Sequence, residues 1–247
     1  MKKTIDIDNI FDMHCHILYG VDDGSKSLEQ SLRMVDIAYE EGIRNIILTP
    51  HYNPRMWDFN IQTVNEHYMA LKDAVAKKYP SMKFWGGCEI FYGSDTPEAL
   101  KSGQIPGMAG GDYMLIEFMT SASYRTIKNA VIEFQQQGKI PILAHVERYE
   151  SLFGDVDLVE ELQDAGAYIQ VNASSVTGDH GKHEQKFVKK LLKHGLVNFI
   201  GTDAHRDDKR APRIAEAAAY IAKKYGEDYA RELLVENPQK VVENQYL

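Results

Sequence analysis

The chain has 247 residues, a hydrophobic content of 44% and a formal net charge of -8 at pH 7. This length and apolar content are enough for one full core, and we expect a single domain over residues 1–247. The negative charge disfavours broad contact with a phosphate backbone, so we expect no nucleic-acid partner. No apolar run approaches the ~18 residues of a membrane span, and the polar first residues do not resemble a signal peptide, so we expect no membrane insertion and a cytoplasmic protein.

Short apolar runs alternate with longer amphipathic stretches along the chain. Most runs are continuously apolar, which is typical of strands covered on both faces. The predicted strands are residues 10–16, 45–50, 83–89, 113–118, 140–145, 168–172 and 197–202. The predicted helices are one capped by Ser27, then residues 60–79, 124–137, 155–165, 182–194 and 211–225, and a last short helix beginning at Asn237. About seven repeats of strand and helix predict a parallel α/β barrel, somewhat short of the usual eight.

A histidine or a carboxylate follows almost every predicted strand. In a parallel barrel these residues meet at the carboxyl ends of the strands, where active sites lie. Burying them without partners would cost several kcal/mol each, so we expect them to share metal ions. Two pairs have a two-residue spacing that puts both side chains on one face of a strand, and barrel closure brings the pairs together. The candidate ligands are His14, His16, His51, Glu89, Glu117, His145, Asp203 and His205. Nitrogen and oxygen ligands without thiolates favour Mn, Fe or Zn, with Mg less favoured.

The sequence motifs around these residues resemble those of a known family. The matching segments are His14-Cys-His16 with Asp22-Asp23-Gly24, Thr-Pro-His51, Gly-Cys-Glu89, Leu-Ile-Glu117, Ala-His145-Val-Glu147-Arg148 and Thr-Asp203-Ala-His205. They are similar to the polymerase and histidinol phosphatase (PHP) superfamily. Within it, they resemble the bacterial tyrosine-protein phosphatases of capsular and exopolysaccharide loci, the CpsB/YwqE type. The resemblance runs through essentially the whole chain. It implies a distorted (β/α)7 TIM-like barrel with three divalent metal ions, most simply Mn, at the carboxyl ends of the strands.

The resemblance also implies how the ligands are shared. One metal would take His14, His16, Glu89 and Asp203. A second would share Glu89 and add Glu117 and His145. The third would take Asp23, His51 and His205, with the adjacent Asp22 as an alternative to Asp23. Glu147 fits the His-x-Glu-Arg motif of the family. We do not assign it as a ligand, because it can equally well support the ligands from behind.

Two arginines are expected to act on the substrate. Arg148 follows His145 by three residues, so it should lie at the barrel mouth, where a guanidinium can clamp a phosphate. The resemblance places Arg210 in a similar role beyond the Asp203-x-His205 pair. Arg125 and Arg206 also lie near the expected mouth and receive no role.

The remaining histidines and both cysteines favour structural interpretations. His67 and His194 fit solvated or structural positions, and a solvated loop is the better interpretation for His180 and His183. Cysteine-dependent tyrosine phosphatases have an arginine six positions after the nucleophile. Position 21, six after Cys15, is Val, and position 94, six after Cys88, is Ser. Neither cysteine is therefore expected to act as a nucleophile. Residues 52–57 carry aromatic and basic side chains that either stack on a phosphotyrosine ring or serve packing.

The candidate metal site and the resemblance together imply a metal-dependent phosphomonoesterase, and the resemblance implies that it acts on protein phosphotyrosine. By resemblance, its substrate would be the tyrosine-rich tail of a bacterial tyrosine kinase that regulates capsular or exopolysaccharide synthesis. The alternative is a small-molecule phosphatase of the same superfamily, such as histidinol phosphatase. A polymerase-linked nuclease and a non-catalytic binding module fit the sequence less well, because the chain is acidic and every expected ligand position is filled.

Overall fold

A computed structural model describes residues 7, 9–56 and 59–247. Its strands are all parallel and form two groups, ordered β1-β2-β4 and β3-β5-β6-β7-β8-β9. The strands are β1 Ile10–Cys15, β2 Ile43–Leu48, β3 His51–Tyr52, β4 Lys83–Gly86, β5 Glu89–Phe91, β6 Tyr113–Glu117, β7 Ile140–Leu143, β8 Tyr168–Asn172 and β9 Phe199–Gly201. Most strand residues are buried, as the continuous apolar runs predict.

The two groups form one barrel with seven strand positions. β3 follows β2 after two residues and β5 follows β4 after two residues, and β3 pairs with β5 just as β2 pairs with β4. The last strand then returns to the first through a bridge between Cys15 and Ala204 and a hydrogen bond from the Asp203 N–H to the His14 carbonyl, 2.7 Å. The predicted distorted (β/α)7 barrel is confirmed.

The seam between β9 and β1 depends on a glycine. A Cβ atom at Gly201 would lie 2.6 Å from the His14 Cβ, closer than side chains in proteins approach. Beside it, the buried carboxylate of Asp12 accepts hydrogen bonds from Thr202, 2.9 Å from its N–H and 2.5 Å from its hydroxyl. These contacts set the distance between the two strands that carry the His14-x-His16 and Asp203-x-His205 pairs.

Helices cover the outside of the barrel. They are α1 Leu28–Glu40, α2 Ile61–Ala76, α3 Thr96–Lys101, α4 Tyr124–Gln136, α5 Val156–Asp164, α6 Ala173–Thr177, α7 Lys182–Lys193, α8 Ala215–Tyr225, α9 Glu227–Arg231 and α10 Asn237–Val242. Ser27 caps α1 as predicted, with its hydroxyl accepting from the Gln30 N–H. None of the helices in the described part of the chain is both long enough and apolar enough to cross a membrane.

The structure corrects several predicted boundaries. Residues 45–50 and 83–89 each break into two strands, at Thr49–Pro50 and at Gly87–Cys88. Pro50 has no N–H for a ladder bond, and a Cβ at Gly87 would lie 3.3 Å from the Met108 backbone. The segment 197–202 forms a strand only over Phe199–Gly201, and α8 begins four residues later than predicted, at Ala215. The short helices α3, α6 and α9 were not predicted, because five or six residues carry too little periodicity to detect.

Candidate metal centre

The predicted ligands converge at the carboxyl ends of the strands. We call the following nine residues the ligand ring: His14, His16, Asp23, His51, Glu89, Glu117, His145, Asp203 and His205. Most of their side chains are buried. The Asp23 side chain is the most exposed of the nine, with 45% of its surface accessible to solvent. Below the ring, strand alternation puts Tyr113 and Leu115 on the same face of β6 as Glu117, and both belong to an apolar cluster that fills the barrel.

The first group of ligands lies on the seam. The Nε2 atoms of His14 and His16 are 3.2 Å apart, and each is 3.1 Å from the Glu89 Oε2. The Asp203 Oδ1 lies 3.7 Å from both imidazole nitrogens. Four donor atoms from the first, third and last strand positions of the barrel therefore lie close together, and they come from the residues expected to share the first metal.

The second group centres on the two glutamates. The other oxygen of Glu89, Oε1, lies 2.9 Å from the His145 Nε2, and the Glu117 Oε2 lies 3.8 Å from the same nitrogen. His51 also enters this group, because its Nδ1 is 3.0 Å from the Glu117 Oε1 and 3.3 Å from Glu89. Glu89 thus lies between the first two groups: its Oε1 faces His145, and its Oε2 faces His14, His16 and also His51. This is the position of a shared carboxylate.

The third group contains the most exposed ligand candidate. The Asp23 Oδ1 lies 3.5 Å from the His51 Nε2 and 3.4 Å from the His205 Nε2. His16 offers a further nitrogen to this group. The Asp23 Oδ1 is itself shielded from solvent and has no hydrogen-bond partner among the described residues. An oxygen in that position lacks the partner that a cation would provide.

Asp22 has a different set of contacts from Asp23. Its Oδ2 accepts from the His16 Nδ1 at 2.8 Å and from the His51 N–H at 3.0 Å, and its Oδ1 accepts from the Gly24 N–H at 2.8 Å. Both Asp22 oxygens are therefore occupied behind the ring. This geometry favours Asp22 as the residue that orients His16, and Asp23 as the one that faces the third group.

The ring places strongly interacting charges in a buried setting. Burial raises the pKa of Glu89, but attraction and hydrogen bonds from His14, His145 and His16 outweigh it and hold that pKa well below its ordinary value. Burial lowers the pKa of His16, yet Asp22 and Glu89 raise it well above the ordinary histidine value. The Glu89 carboxylate therefore stays ionised and requires positive charge beside it, which protons or metal ions supply.

Two ring members have strained backbones. His145 has φ of 34° and Asp203 has φ of 53°, both in the left-handed region that residues other than glycine seldom adopt. Such conformations cost about 1–3 kcal/mol each and persist where surrounding contacts impose them. Both residues directly follow a strand or its short extension, so the unusual backbone turns each side chain into the mouth of the barrel.

Both predicted arginines converge on one carboxylate. The Arg148 Nη2 lies 2.7 Å from the Asp203 Oδ2, and the Arg210 Nη2 lies 2.9 Å from the Asp203 Oδ1. Burial raises the pKa of the Asp203 carboxyl, but Arg148, His14 and Arg210 hold it well below the ordinary value. The two guanidiniums therefore stand at the edge of the ligand ring, each with further N–H groups beyond the one that Asp203 accepts.

The donor set fits metal ions. The atoms within each of three groups all lie within 4.8 Å of one another: His14 with His16 and Glu89; His51 with Glu89 and Glu117; His16 with Asp23, His51 and His205. The donors are imidazole nitrogens and carboxylate oxygens without a thiolate, a set that suits Mn, Fe or Zn. A bound cation would give the Asp23 Oδ1 the partner that it lacks, and Glu89 belongs to two of the three groups, as a carboxylate shared by two ions would.

Residues outside the ring are mostly where the sequence analysis expects them. His67 stacks on Tyr19 with ring centroids 4.1 Å apart, and Arg125 and Arg206 are exposed. His183 is not in a loop but in the first turn of α7, where it stacks on Phe153. His180 is exposed in the turn between α6 and α7, the loop position that the sequence analysis expects.

The two cysteines do not face the ring as nucleophiles. The Cys15 thiol lies 3.7 Å from the Ile47 carbonyl, and the Cys88 thiol lies 3.3 Å from the Pro106 carbonyl. Both are fully buried, and burial raises the pKa of each thiol above its ordinary value. Neither thiol can readily form the thiolate that nucleophilic attack requires.

The loop after β3 borders a pocket whose other walls come from Phe91 and α3. The pocket has a volume of about 330 Å³, and its walls include Tyr52, Arg55 and Phe91. Arg55 is held across its rim by Asp95, 2.5 Å away. Of the predicted loop 52–57, Trp57 lies outside the described residues. The first six residues and Asp8 also lie outside them.

Two buried polar residues near the ring were missed in the sequence. Gln170 and Asn172 lie on β8, and both are fully buried. The signal was present, because they are two polar residues spaced by two in an otherwise apolar strand, the same spacing as His14-x-His16. The site was predicted from histidines and acidic residues, which are the usual metal ligands. Amide side chains carry no charge and are therefore not predicted as ligands.

Comparisons with known proteins agree with the geometry. A family model described as capsular polysaccharide synthesis, CpsB/CapC, matches residues 10–243. The tyrosine-protein phosphatase CpsB of Streptococcus agalactiae serotype III (strain NEM316) is 33% identical over 243 residues, which cover 96% of this chain and all of that protein.

Solved structures show the same fold. A chain from the crystal structures of YwqE from Bacillus subtilis and CpsB from Streptococcus pneumoniae, described as unique metal-dependent tyrosine phosphatases, superposes with a TM-score of 0.88. It is 29% identical, and the match covers 96% of both chains. Histidinol phosphate phosphatase from Lactococcus lactis, at 15% identity and a TM-score of 0.58 over 88% of this chain and 94% of its own, shares the fold. By sequence and by structure, the chain belongs to the CpsB/CapC family.

Proposed function

We propose that this chain is a metal-dependent protein-tyrosine phosphatase. The observation that carries the proposal is the ligand ring itself, three overlapping groups of nitrogen and oxygen donors with two arginines at their edge. The relatives that match along nearly the whole chain are named tyrosine-protein phosphatases, which supports the same activity here.

The ring holds three divalent ions in this proposal. His14, His16, Glu89 and Asp203 bind the first; Glu89, Glu117 and His145 bind the second; Asp23, His51 and His205 bind the third. His51 also lies within reach of the second ion and His16 of the third. Mn is the expected metal, with Fe and Zn as the alternatives that the same donors accept. Bound divalent ions supply an activated water nucleophile and offset the negative charge of the phosphoryl group.

The protein's own groups hold the substrate. Arg148 and Arg210 are anchored by Asp203, so each presents its remaining N–H groups in a fixed direction. A planar guanidinium donates two parallel hydrogen bonds to a phosphate, which makes these residues the phosphate clamp.

Phosphotyrosine suits this site as a substrate. The phenolate leaving group has a free pKa near ~10 and departs more readily than a serine alkoxide. The pocket of about 330 Å³ has Tyr52 and Phe91 in its walls, and these aromatic residues lie one and two residues along the chain from the ring members His51 and Glu89. The proposed protein substrate is the tyrosine-rich tail of a bacterial tyrosine kinase that regulates capsular or exopolysaccharide synthesis. The cytoplasmic location expected from the sequence stays a prediction.

A substrate panel tests the proposal. Protein reconstituted with Mn is assayed with a phosphotyrosine peptide, the same peptide carrying phosphoserine, and histidinol phosphate. The expected result is release of phosphate chiefly from the phosphotyrosine peptide. Turnover confined to histidinol phosphate would keep the metal site and replace the substrate. Absence of turnover with all three substrates, in folded metal-loaded protein, would contradict the proposed activity.

A further inference from the structure

One strand of the barrel faces the ligand ring without contributing to it. Of the seven strand positions around the described barrel, only β8 supplies no member of the ring. Its polar residues Gln170 and Asn172 are fully buried and lie two residues apart, so both project to the same face of the strand. β8 pairs with β7 on one side and β9 on the other, next to the ring members His145 and Asp203.

The orientation of the Gln170 amide is fixed by a backbone group. The His145 N–H, which can only donate, lies 2.8 Å from the Gln170 Oε1. The same oxygen lies 3.2 Å from the His14 Nδ1. Because an amide oxygen only accepts, the His14 Nδ1 must carry a proton. In the neutral ring this leaves the lone pair on Nε2, the atom that faces Glu89 and His16.

The same constraint extends to Asp203. With its oxygen assigned, Gln170 donates from Nε2 to the Asn172 Oδ1 over 2.9 Å. The Asn172 Nδ2 must then donate, and it lies 3.0 Å from the Asp203 Oδ2. A chain of amides on β8 thus runs from the His145 backbone to the Asp203 carboxylate, and each donor and acceptor in it is determined.

This chain supports the two strained members of the ring. His145 and Asp203 are the ring residues with positive φ, and β8 holds the first through its N–H and the second through its carboxylate. The Asn172 N–H is in turn held by the buried Glu147, 2.9 Å to Oε1. The backbone strain is therefore opposed by hydrogen bonds that would be lost if either amide were replaced by an apolar group.

We propose that Gln170 and Asn172 are positioning residues of the metal centre. Gln170 holds the proton of His14 at Nδ1 and fixes the backbone of His145, and Asn172 orients Asp203. The inference rests on the proposed metal-dependent function. The inference goes beyond that function because it assigns a role to β8, the strand that supplies no metal ligand.

Metal affinity tests the proposal directly. Wild type, Gln170→Met and Asn172→Leu are stripped of metal, and their affinity for Zn is measured by competition with a chelating dye. We expect both variants to bind roughly 10- to 100-fold more weakly, the usual effect of removing a partner behind a metal ligand. Gln163→Met is the matched control, because the Gln163 amide contacts Asn198 at the opposite end of β8. This control should bind Zn like wild type.

Histidine NMR separates positioning from general destabilisation. Zn bound at Nε2 leaves a proton on the His14 Nδ1 in every variant, so the readout is the hydrogen bond that this proton makes. In Zn-loaded protein labelled with ¹⁵N at histidine, the His14 Nδ1–H signal should be shifted downfield and protected from exchange with water in wild type and in Gln170→Glu, which keeps the acceptor oxygen. The Gln170→Met variant should lose that signature. Wild-type affinity and an unchanged His14 signature in folded Gln170→Met would overturn the proposal. If that variant fails to fold, unchanged affinity in Asn172→Leu would overturn the role of Asn172. If wild type binds no Zn, the metal centre itself is wrong, and the positioning role falls with it.

Discussion

Asp203 joins the charged groups on the two sides of the site. Its Oδ1 faces the imidazoles of the seam, while its two oxygens separately accept from Arg148 and Arg210. The substitution of one carboxylate would therefore disturb metal binding and phosphate binding together. Changes to the arginines leave every ring ligand in place, and metal content measured beside the kinetics separates lost phosphate binding from a disturbed Asp203.

Replacing Arg148 with alanine should reduce kcat/KM for a phosphotyrosine peptide about 10²- to 10³-fold, the usual loss for a group that stabilises charge in the transition state. Arg148→Lys should recover only part of this loss, because an ammonium group cannot form two parallel hydrogen bonds. Steady-state kinetics and metal content are measured together. The exposed Arg125 provides the control as Arg125→Ala, and an Arg148→Ala enzyme as fast as that control would show that Arg148 does not bind phosphate.

Both thiols should be dispensable for turnover. Cys15 and Cys88 are buried, and burial raises the pKa of each. We expect Cys15→Ala and Cys88→Ala to keep kcat within about twofold of wild type, with a cost to stability of about 1 kcal/mol from the lost packing. Iodoacetamide should leave the folded wild type active. Inactivation that tracks alkylation of either thiol would restore a cysteine mechanism.

At the level of elements, the β1–β9 seam sets the geometry of the first metal group. Thr202→Val removes the hydroxyl donor of the buried Asp12 carboxylate, and leaving that oxygen unpartnered should cost about 1–3 kcal/mol of unfolding free energy. Urea denaturation measures the change. Thr120→Val, at an exposed position after β6, should stay within about 0.5 kcal/mol of wild type. Equal stabilities for the two variants would mean that the seam contact does not hold the barrel closed.

The strands were the most predictable elements of the fold. Strands buried on both faces are largely apolar, so their positions can be read from the apolar runs in the sequence. The strand that begins at Tyr113 is an example. The breaks at Pro50 and Gly87 were not predicted, because they depend on how neighbouring strands approach. The short helices α3 and α6 depend likewise on contacts that only the folded chain provides.

The ligand ring was predictable for a related reason. The barrel brings together the carboxyl ends of its strands, so residues far apart in sequence, such as His14 and Asp203, become neighbours. Which groups share a ligand was not fixed by the sequence: His51 reaches Glu117 as well as Asp23. The hydrogen bonds by which Asp22, Gln170 and Asn172 orient the ligands were not predicted either. They depend on the direction of each side chain rather than on its residue type.

At the scale of the whole molecule, the ring couples metal binding to folding. Its members come from six of the seven strand positions, so ions bound there connect most of the barrel. A metal at 100 times its Kd adds about 2.7 kcal/mol of stability per site, which in a protein of this size raises Tm by roughly 5–10 °C. Thermal unfolding with and without Mn measures this, and Mg should give a smaller shift. An identical Tm in chelator and in Mn would contradict metal binding by the folded ring.

The most direct test of the central claim couples turnover to bound metal. Chelated protein is titrated with Mn, and at each point bound metal is counted by mass spectrometry while phosphate release from a phosphotyrosine peptide is measured. The account predicts negligible activity without metal, and activity that rises with occupancy and saturates when the three groups are filled. Full activity in a sample shown to contain no metal would contradict the account at its centre.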